Sequence, residues 1–155
     1  MPIGAVKETL PERPLTRLFL VPPFVAGLIN LRGEVVAVLD LGRLLGLEAA
    51  SDEPGGRRRE SRNVVILRAN LLPGGRESRH AADRAAAGLL VDRLDGVREV
   101  RPGDLQPPPA TLAPEPASYL DGVAAAGDPP RPLCLLAPER ILGAEALRPF
   151  RRESH

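Results

Sequence analysis

The sequence predicts a mainly β fold, and three observations lead there. The apolar runs are short and rich in β-branched residues: Val35-Val36-Ala37-Val38-Leu39, Val64-Val65-Ile66-Leu67 and Gly88-Leu89-Leu90-Val91. Gly, Pro and Asp bound these runs, the signature of buried strands separated by turns. Eighteen prolines and fifteen glycines in 155 residues leave few windows long enough for the helices of a bundle. Several short strands with turn signals between them suggest a small barrel or sandwich.

Taken in order, Asn30-Leu31-Arg32-Gly33 separates two apolar runs and reads as a turn or bulge. Gly33 then takes the unusual backbone angles, with Leu31 pointing inward and Arg32 outward. Asp40 can cap a short helix over residues 41–45, which Gly46 ends. Residues 49–62, with Pro54-Gly55-Gly56 and Arg57-Arg58-Arg59, and residues 73–86, with Pro73-Gly74-Gly75, read as enlarged surface loops. Asp92 closes a strand, and Asp95-Gly96 by local rules suggests a two-residue hairpin. The Pro-rich stretch 102–116 is expected to run extended on the surface. Pro138 can open a second helix running through Leu142. The polar tail 148–155 is expected to fray.

The length is that of a single domain spanning residues 1–155. Aromatic residues make up 3% of the chain and Trp is absent. The core is therefore aliphatic, and there are few rings on which nucleic-acid bases could stack. A net charge of +1 creates no overall field toward nucleic acid or membrane. The basic cluster Arg57-Arg58-Arg59 with Arg62 is interrupted by Glu60 and flanked by Asp52 and Glu53, so it reads as a solvated loop. Salt-dependent oligonucleotide binding would be the sign of the opposite. The lone Cys134, inside Leu133-Cys134-Leu135-Leu136, is expected to be a small buried core residue in a reducing compartment. No run reaches the roughly 18–20 apolar residues of a membrane span. No secretory signal is visible, and a cytoplasmic location is expected.

Catalysis finds no footing in the residues. Two His and one Cys stand far apart, without metal-ligand spacing. Ser51, Ser61, Ser78 and Ser118 have no neighbouring base, and Asp92 and Asp95 read as structural or solvated acids. No catalytic, cofactor or metal site is expected.

The stretch from Phe24 to Leu45, FVAGLINLRGEVVAVLDLGRLL, resembles the signature of the CheW-like family. That signature is an apolar lead into Gly, then Asn-Leu-Arg-Gly, a buried strand, and Asp-Leu at a helix start. Upstream, Ile3-Gly4-Ala5-Val6-Lys7-Glu8 looks like the family's second strand. Downstream, Gly88 to Leu94, Tyr119-Leu120-Asp121-Gly122-Val123 and Leu133 to Leu142 follow in family order along nearly the whole chain. The resemblance implies two small five-stranded, SH3-like β-barrels packed together with one or two short helices. Met1 falls inside the second strand of the pattern, so the first barrel is expected to lack its N-terminal strand. Where the family often carries an acidic residue after the closing strand, this chain has Ala137-Pro138.

The resemblance also implies a function. Members are non-catalytic adaptors that couple chemoreceptors to a chemotaxis histidine kinase, reaching membrane-associated receptor arrays through their partners. The expected partners are the kinase regulatory domain and the receptor's cytoplasmic tip. Carried over by motif position, the partner-binding residues would be Val6, Glu8, Arg32, Val64, Gly88, Leu94 and Val97. For the apolar members, plain core packing is at least as good a reading. Arg32 has two readings that are compatible with each other. One is a directed bond to a partner; the other is an internal pair with Glu8 or Asp40. For residues 92–97 the resemblance favours a bulged strand continuing through Val97 over a hairpin. A detached kinase regulatory domain, or an adaptor of a non-chemotaxis array, is the alternative. The chain has no phosphotransfer histidine, since His80 falls in a loop and His155 is the last residue.

Overall fold

The computed structural model describes residues 1–47, 62–71, 85–126 and 130–143. Strand β1 (Val6–Pro11) leads by a long loop into β2 (Val25–Leu31), which turns into β3 (Glu34–Asp40) and helix α1 (Leu41–Leu44). Then come β4 (Asn63–Arg68), β5 (Ala85–Val91), α2 (Pro114–Ser118), β6 (Leu120–Ala126), β7 (Arg131–Leu136) and α3 (Pro138–Gly143). Strands β1 to β5 form one sheet in the order β1-β4-β5-β3-β2, and β6 and β7 form a second. All pairs are antiparallel except β3 with β5.

The apolar runs settle the sheet order. The run Val64 to Leu67 in β4 and the run Ala87 to Leu90 in β5 are buried on both faces, and these strands neighbour each other inside the sheet. Side chains alternate in direction along a strand, so β4 feeds two cores. Val64 and Ile66 pack with Leu10, Ile29, Leu31, Val36 and Val38 on one side. Val65 and Leu67 pack with Leu39, Leu89, Tyr119, Ile141 and Leu142 on the other. Each fully buried aliphatic side chain contributes about 1.5–3 kcal/mol.

The five-stranded sheet closes on itself. Beyond β1, Thr16 and Leu28 exchange backbone hydrogen bonds of 2.9 Å, joining the β1 side of the sheet to the β2 edge. Gly27 makes this approach possible: its φ is +148°, and a Cβ there would stand 2.6 Å from the Thr16 carbonyl oxygen. The β6–β7 sheet is extended by an isolated bridge, with Gln106 and Val123 exchanging hydrogen bonds of 2.8 Å. Two sheets with a few short helices are the architecture of two small SH3-like barrels. Among the described residues the β6–β7 unit is the less complete of the two.

Local chemistry places α1 and α3 where the sequence predicts helices. The Asp40 carboxylate accepts from the Arg43 N–H at 3.1 Å and caps α1. Pro138 opens α3.

Several expectations are corrected. The chain from Asp92 to Arg101 forms neither the bulged strand nor a hairpin: β5 ends at Val91, and Leu94 and Val97 are exposed with no neighbouring strand to pair. Cys134 is exposed rather than buried. It lies between the inward-leaning Leu133 and Leu135, so alternation along β7 turns it out. The stretch 102–116 is not uniformly extended. It holds a 3-10 turn at Pro102–Asp104 and begins α2 at Pro114, whose fixed φ suits the first helical position. Ala85 and Ala86, read as loop, begin β5. Val35, read as buried, is exposed on β3. The remainder of loop 73–86, most of loop 49–62 and the tail 148–155 lie outside the described residues.

Candidate partner-binding site

The hairpin between β2 and β3 carries the candidate site. Arg32 and Gly33 form its two-residue loop, with φ of +52° and +89°. Positive φ at both central positions matches the right-handed twist of the flanking strands. Asn30 fixes the turn, its Oδ1 accepting from the Gly33 N–H at 2.8 Å. Leu31 is buried and Arg32 points outward.

From that tip, Arg32 reaches across the seam of the barrel to Glu8 on β1, Nη2 to Oε2 at 3.0 Å. Beside this pair, the Lys7 ammonium stands 4.0 Å from the Glu34 carboxylate. Adjacent residues of a regular strand point to opposite faces, yet Lys7 and Glu8 both face the hairpin. The register explains it: pairing with β4 slips between Val6 and Glu8, a bulge that re-aims the side chains there. The Glu8 side chain is 25% exposed and that of Arg32 76%. Arg32 is thus anchored through one nitrogen of its guanidinium, with most of the side chain open to solvent. The internal pairing with Glu8 is present; Asp40 is not its partner.

Asp40 serves a different pin. Arg62 grips Glu12 in a bidentate pair, at 2.6 and 3.1 Å, and approaches Asp40 at 3.5 Å. Its hydrogen bond to Glu12, ahead of the nearby charges, holds the guanidinium protonated. This cluster ties the end of β1, the start of β4 and the cap of α1 at the end of the barrel away from Arg32. Arg62 is therefore occupied, which removes it from the basic cluster considered for nucleic acid. Arg57-Arg58-Arg59 lies outside the described residues.

The remaining candidates separate by burial. Val64 is fully buried, and Gly88 is buried against it. A Cβ on Gly88 would stand 2.7 Å from Val64 Cγ1 and 3.3 Å from Val38 Cγ2. These two residues shape the barrel interior behind the surface. Val6 is half-buried and packs against the second core. Leu94 and Val97 are 43% and 76% exposed, in the irregular segment that leaves β5. The structure therefore brings Glu8 and Arg32 into contact, and Val64 and Gly88 into contact, and leaves Leu94 and Val97 as open apolar surface.

Sequence reasoning missed the Lys7–Glu34 pair, whose signal would have been opposite charges on two strands meeting at one seam. It also missed Phe19 and Leu20, the most exposed apolar side chains described. Among the described residues no group of His, Cys, Asp and Glu is arranged to hold a metal ion, and no helix is long and apolar enough to cross a membrane.

A closed small barrel, a second short sheet and an exposed, anchored arginine at a hairpin tip define a small β-barrel protein. Residues 1–146 match the CheW-like domain, and the chain belongs to the CheW-like family. It is 32% identical over 143 residues to a chemotaxis protein CheW of Rhizobium meliloti, covering 92% of this chain and 79% of that one. It is 26% identical to a chemotaxis protein CheW of Treponema pallidum, over 81% of this chain and 65% of the relative. The fold is similar to that of a CheW scaffolding protein of Thermoanaerobacter tengcongensis, with a TM-score of 0.63 at 24% identity, over 87% of this chain and 73% of that one. The chain is a chemotaxis adaptor.

Proposed function

We propose that this protein links a chemoreceptor's cytoplasmic tip to the regulatory domain of a chemotaxis histidine kinase, by binding alone and without catalysis. The observation that carries the reading is the Arg32–Glu8 pair: a guanidinium fixed by one carboxylate at 3.0 Å on a side chain that is otherwise largely exposed. Such a group offers directed hydrogen bonds at little further cost in side-chain ordering. Val6, Leu94 and Val97 add apolar contact, and buried Val64 and Gly88 hold the surface in shape from beneath. In this division apolar contact supplies affinity while Arg32 and Glu8 supply orientation. The working location is the cytoplasmic face of receptor arrays, reached through the partners.

The test is binding of the purified protein to an immobilised receptor tip from the same cell. Arg32→Glu is expected to weaken binding about tenfold or more, near 1.4 kcal/mol, with an unchanged circular dichroism spectrum. Wild-type binding retained in that variant would remove Arg32 from the interface.

A further inference from the structure

The β6–β7 sheet has one covered edge and one open edge. On the β6 side, Val123 and Gln106 exchange backbone hydrogen bonds of 2.8 Å. Gly122 permits the approach, since a Cβ there would stand 2.6 Å from the Gln106 carbonyl oxygen. The N–H and C=O of Val123 therefore point away from β7. Val123 is registered opposite Cys134, so theirs is a non-hydrogen-bonded antiparallel pair. The N–H and C=O of Cys134 must then point away from β6, to the far side of β7. No described strand pairs with β7 on that side.

Alternation puts the backbone groups of Pro132 and Leu136 on the same open side. Pro132 has no N–H to offer there, which is the place where a sheet edge tolerates proline. An edge left open in this way is a template for another strand, and this one matches its own reverse. When two copies of β7 run antiparallel about a two-fold axis at Cys134, each Cys134 exchanges hydrogen bonds with Cys134 of the second copy. Each Leu136 N–H reaches a Pro132 carbonyl, so the missing proline donor leaves only the Leu136 carbonyl, at the strand end, to water. An axis at Leu133 would forfeit the Leu136 bonds. An axis at Leu135 would overlap only residues 134–136 before Pro138 turns each chain into α3.

The side chains agree with the axis at Cys134. Leu133 and Leu135, both half-buried on one face of β7, fall opposite each other in the closely spaced pairs, where contact is tightest. Arg131 and Glu139 are exposed and have no ion-pair partner among the described residues. In this register Arg131 stands opposite Ala137 of the second copy, with Glu139 two residues on, so opposite charges meet at both ends.

We propose that β7 is a self-association edge, through which two copies of this chain join their second sheets into one continuous antiparallel sheet about a two-fold axis at Cys134. The pairing goes beyond the adaptor reading and uses neither Arg32 nor Glu8. The edge is short, so the dimer is weak and reversible.

The experiment is sedimentation equilibrium of the full chain in reducing buffer, with four variants. Wild type is expected to form a concentration-dependent dimer. Cys134→Ser keeps every backbone bond and dimerises equally; loss of the dimer in it would trace association to the thiol and overturn the proposal. Cys134→Pro removes a donor that β6 does not use, so it is expected to melt close to wild type while raising the dissociation constant about tenfold or more. Arg131→Glu weakens the dimer about threefold or more, and adding Glu139→Arg restores it. Diamide, which accepts the two hydrogens released as paired thiols become a disulfide, fixes the axis. Hydrogen-bonded partners stand about 5.5 Å apart at Cα, within disulfide reach, so wild type is expected to be trapped as a covalent dimer with an unchanged circular dichroism spectrum. A monomer at every concentration overturns the proposal. So does a dimer indifferent to both Cys134→Pro and Arg131→Glu, which would lie on another surface.

Discussion

Arg32 Nη2 and Glu8 Oε2, from residues 24 apart in sequence, meet at 3.0 Å across the seam of the five-stranded barrel. One contact thus sits where the edges of the sheet come together and where the surface is open to a partner. The first prediction separates these roles. Arg32→Glu leaves the fold intact and costs about 1 kcal/mol or less, because the pair is largely solvated. Exchanging the charges, Glu8→Arg with Arg32→Glu, restores the stability but not receptor binding. Thermal melts and binding assays on the two variants read both quantities. Recovery of binding in the exchanged pair would make the contact purely structural.

Closure of the barrel depends on Gly27. Gly27→Ala places a methyl group 2.6 Å from the Thr16 carbonyl oxygen at a φ of +148°. Steric overlap and backbone strain together are expected to cost about 2–4 kcal/mol. The measurement is urea unfolding, and hydrogen exchange at the Thr16 and Leu28 amides should rise first. A variant as stable as wild type would show that the seam does not need this close approach.

Gly88 and Val64 make a complementary pair inside the barrel. Gly88→Ala overpacks against Val64 Cγ1, 2.7 Å from the new Cβ, and is expected to cost about 1–3 kcal/mol. Val64→Ala empties space at the same point and costs about 1–3 kcal/mol by the loss of buried methyl groups. The double variant should be more stable than the sum of the two, since each change relieves the other. Simple additivity in urea melts would contradict direct packing between them.

Arg62 holds Glu12 and Asp40 with its side chain 18% exposed. Arg62→Ala leaves two half-buried carboxylates with less compensation and is expected to destabilise by about 2–3 kcal/mol. The α1 cap should loosen with it, visible as faster exchange of the Arg43 amide. A loss below about 0.5 kcal/mol, the range of ordinary surface changes, would mean the cluster is solvated in solution.

What was legible in the sequence follows from what local chemistry controls. Asp40 before an apolar turn, Pro138 at a helix start and Gly33 in a two-residue turn each satisfy nearby backbone, so each could be read from a few residues. The double-sided burial of β4 and β5 was written in their unbroken apolar runs. Cys134 was misread because a four-residue apolar run in an incompletely covered sheet still has one outward side. The strand through Leu94 and Val97 is implied by resemblance alone; nothing local supplies a pairing edge, and none forms among the described residues. Phe19 and Leu20 escaped notice for a similar reason. The apolar run Leu18 to Val21 does not itself distinguish its inward from its outward residues; only the tertiary anchoring of Leu18 and Val21 shows which two remain outside. The Lys7–Glu34 and Arg32–Glu8 pairs depend on the closure of the barrel and on a bulge in β1, which no local pattern reveals.

The central claim is that this chain bridges two partners, and a three-component capture tests it most directly. The receptor tip is immobilised, the kinase regulatory domain is added, and its retention is measured with and without this protein. The account predicts that the kinase domain is retained only when the chain is present, and that Arg32→Glu reduces the retention. Retention equal in its presence and absence, or none in either, would contradict it.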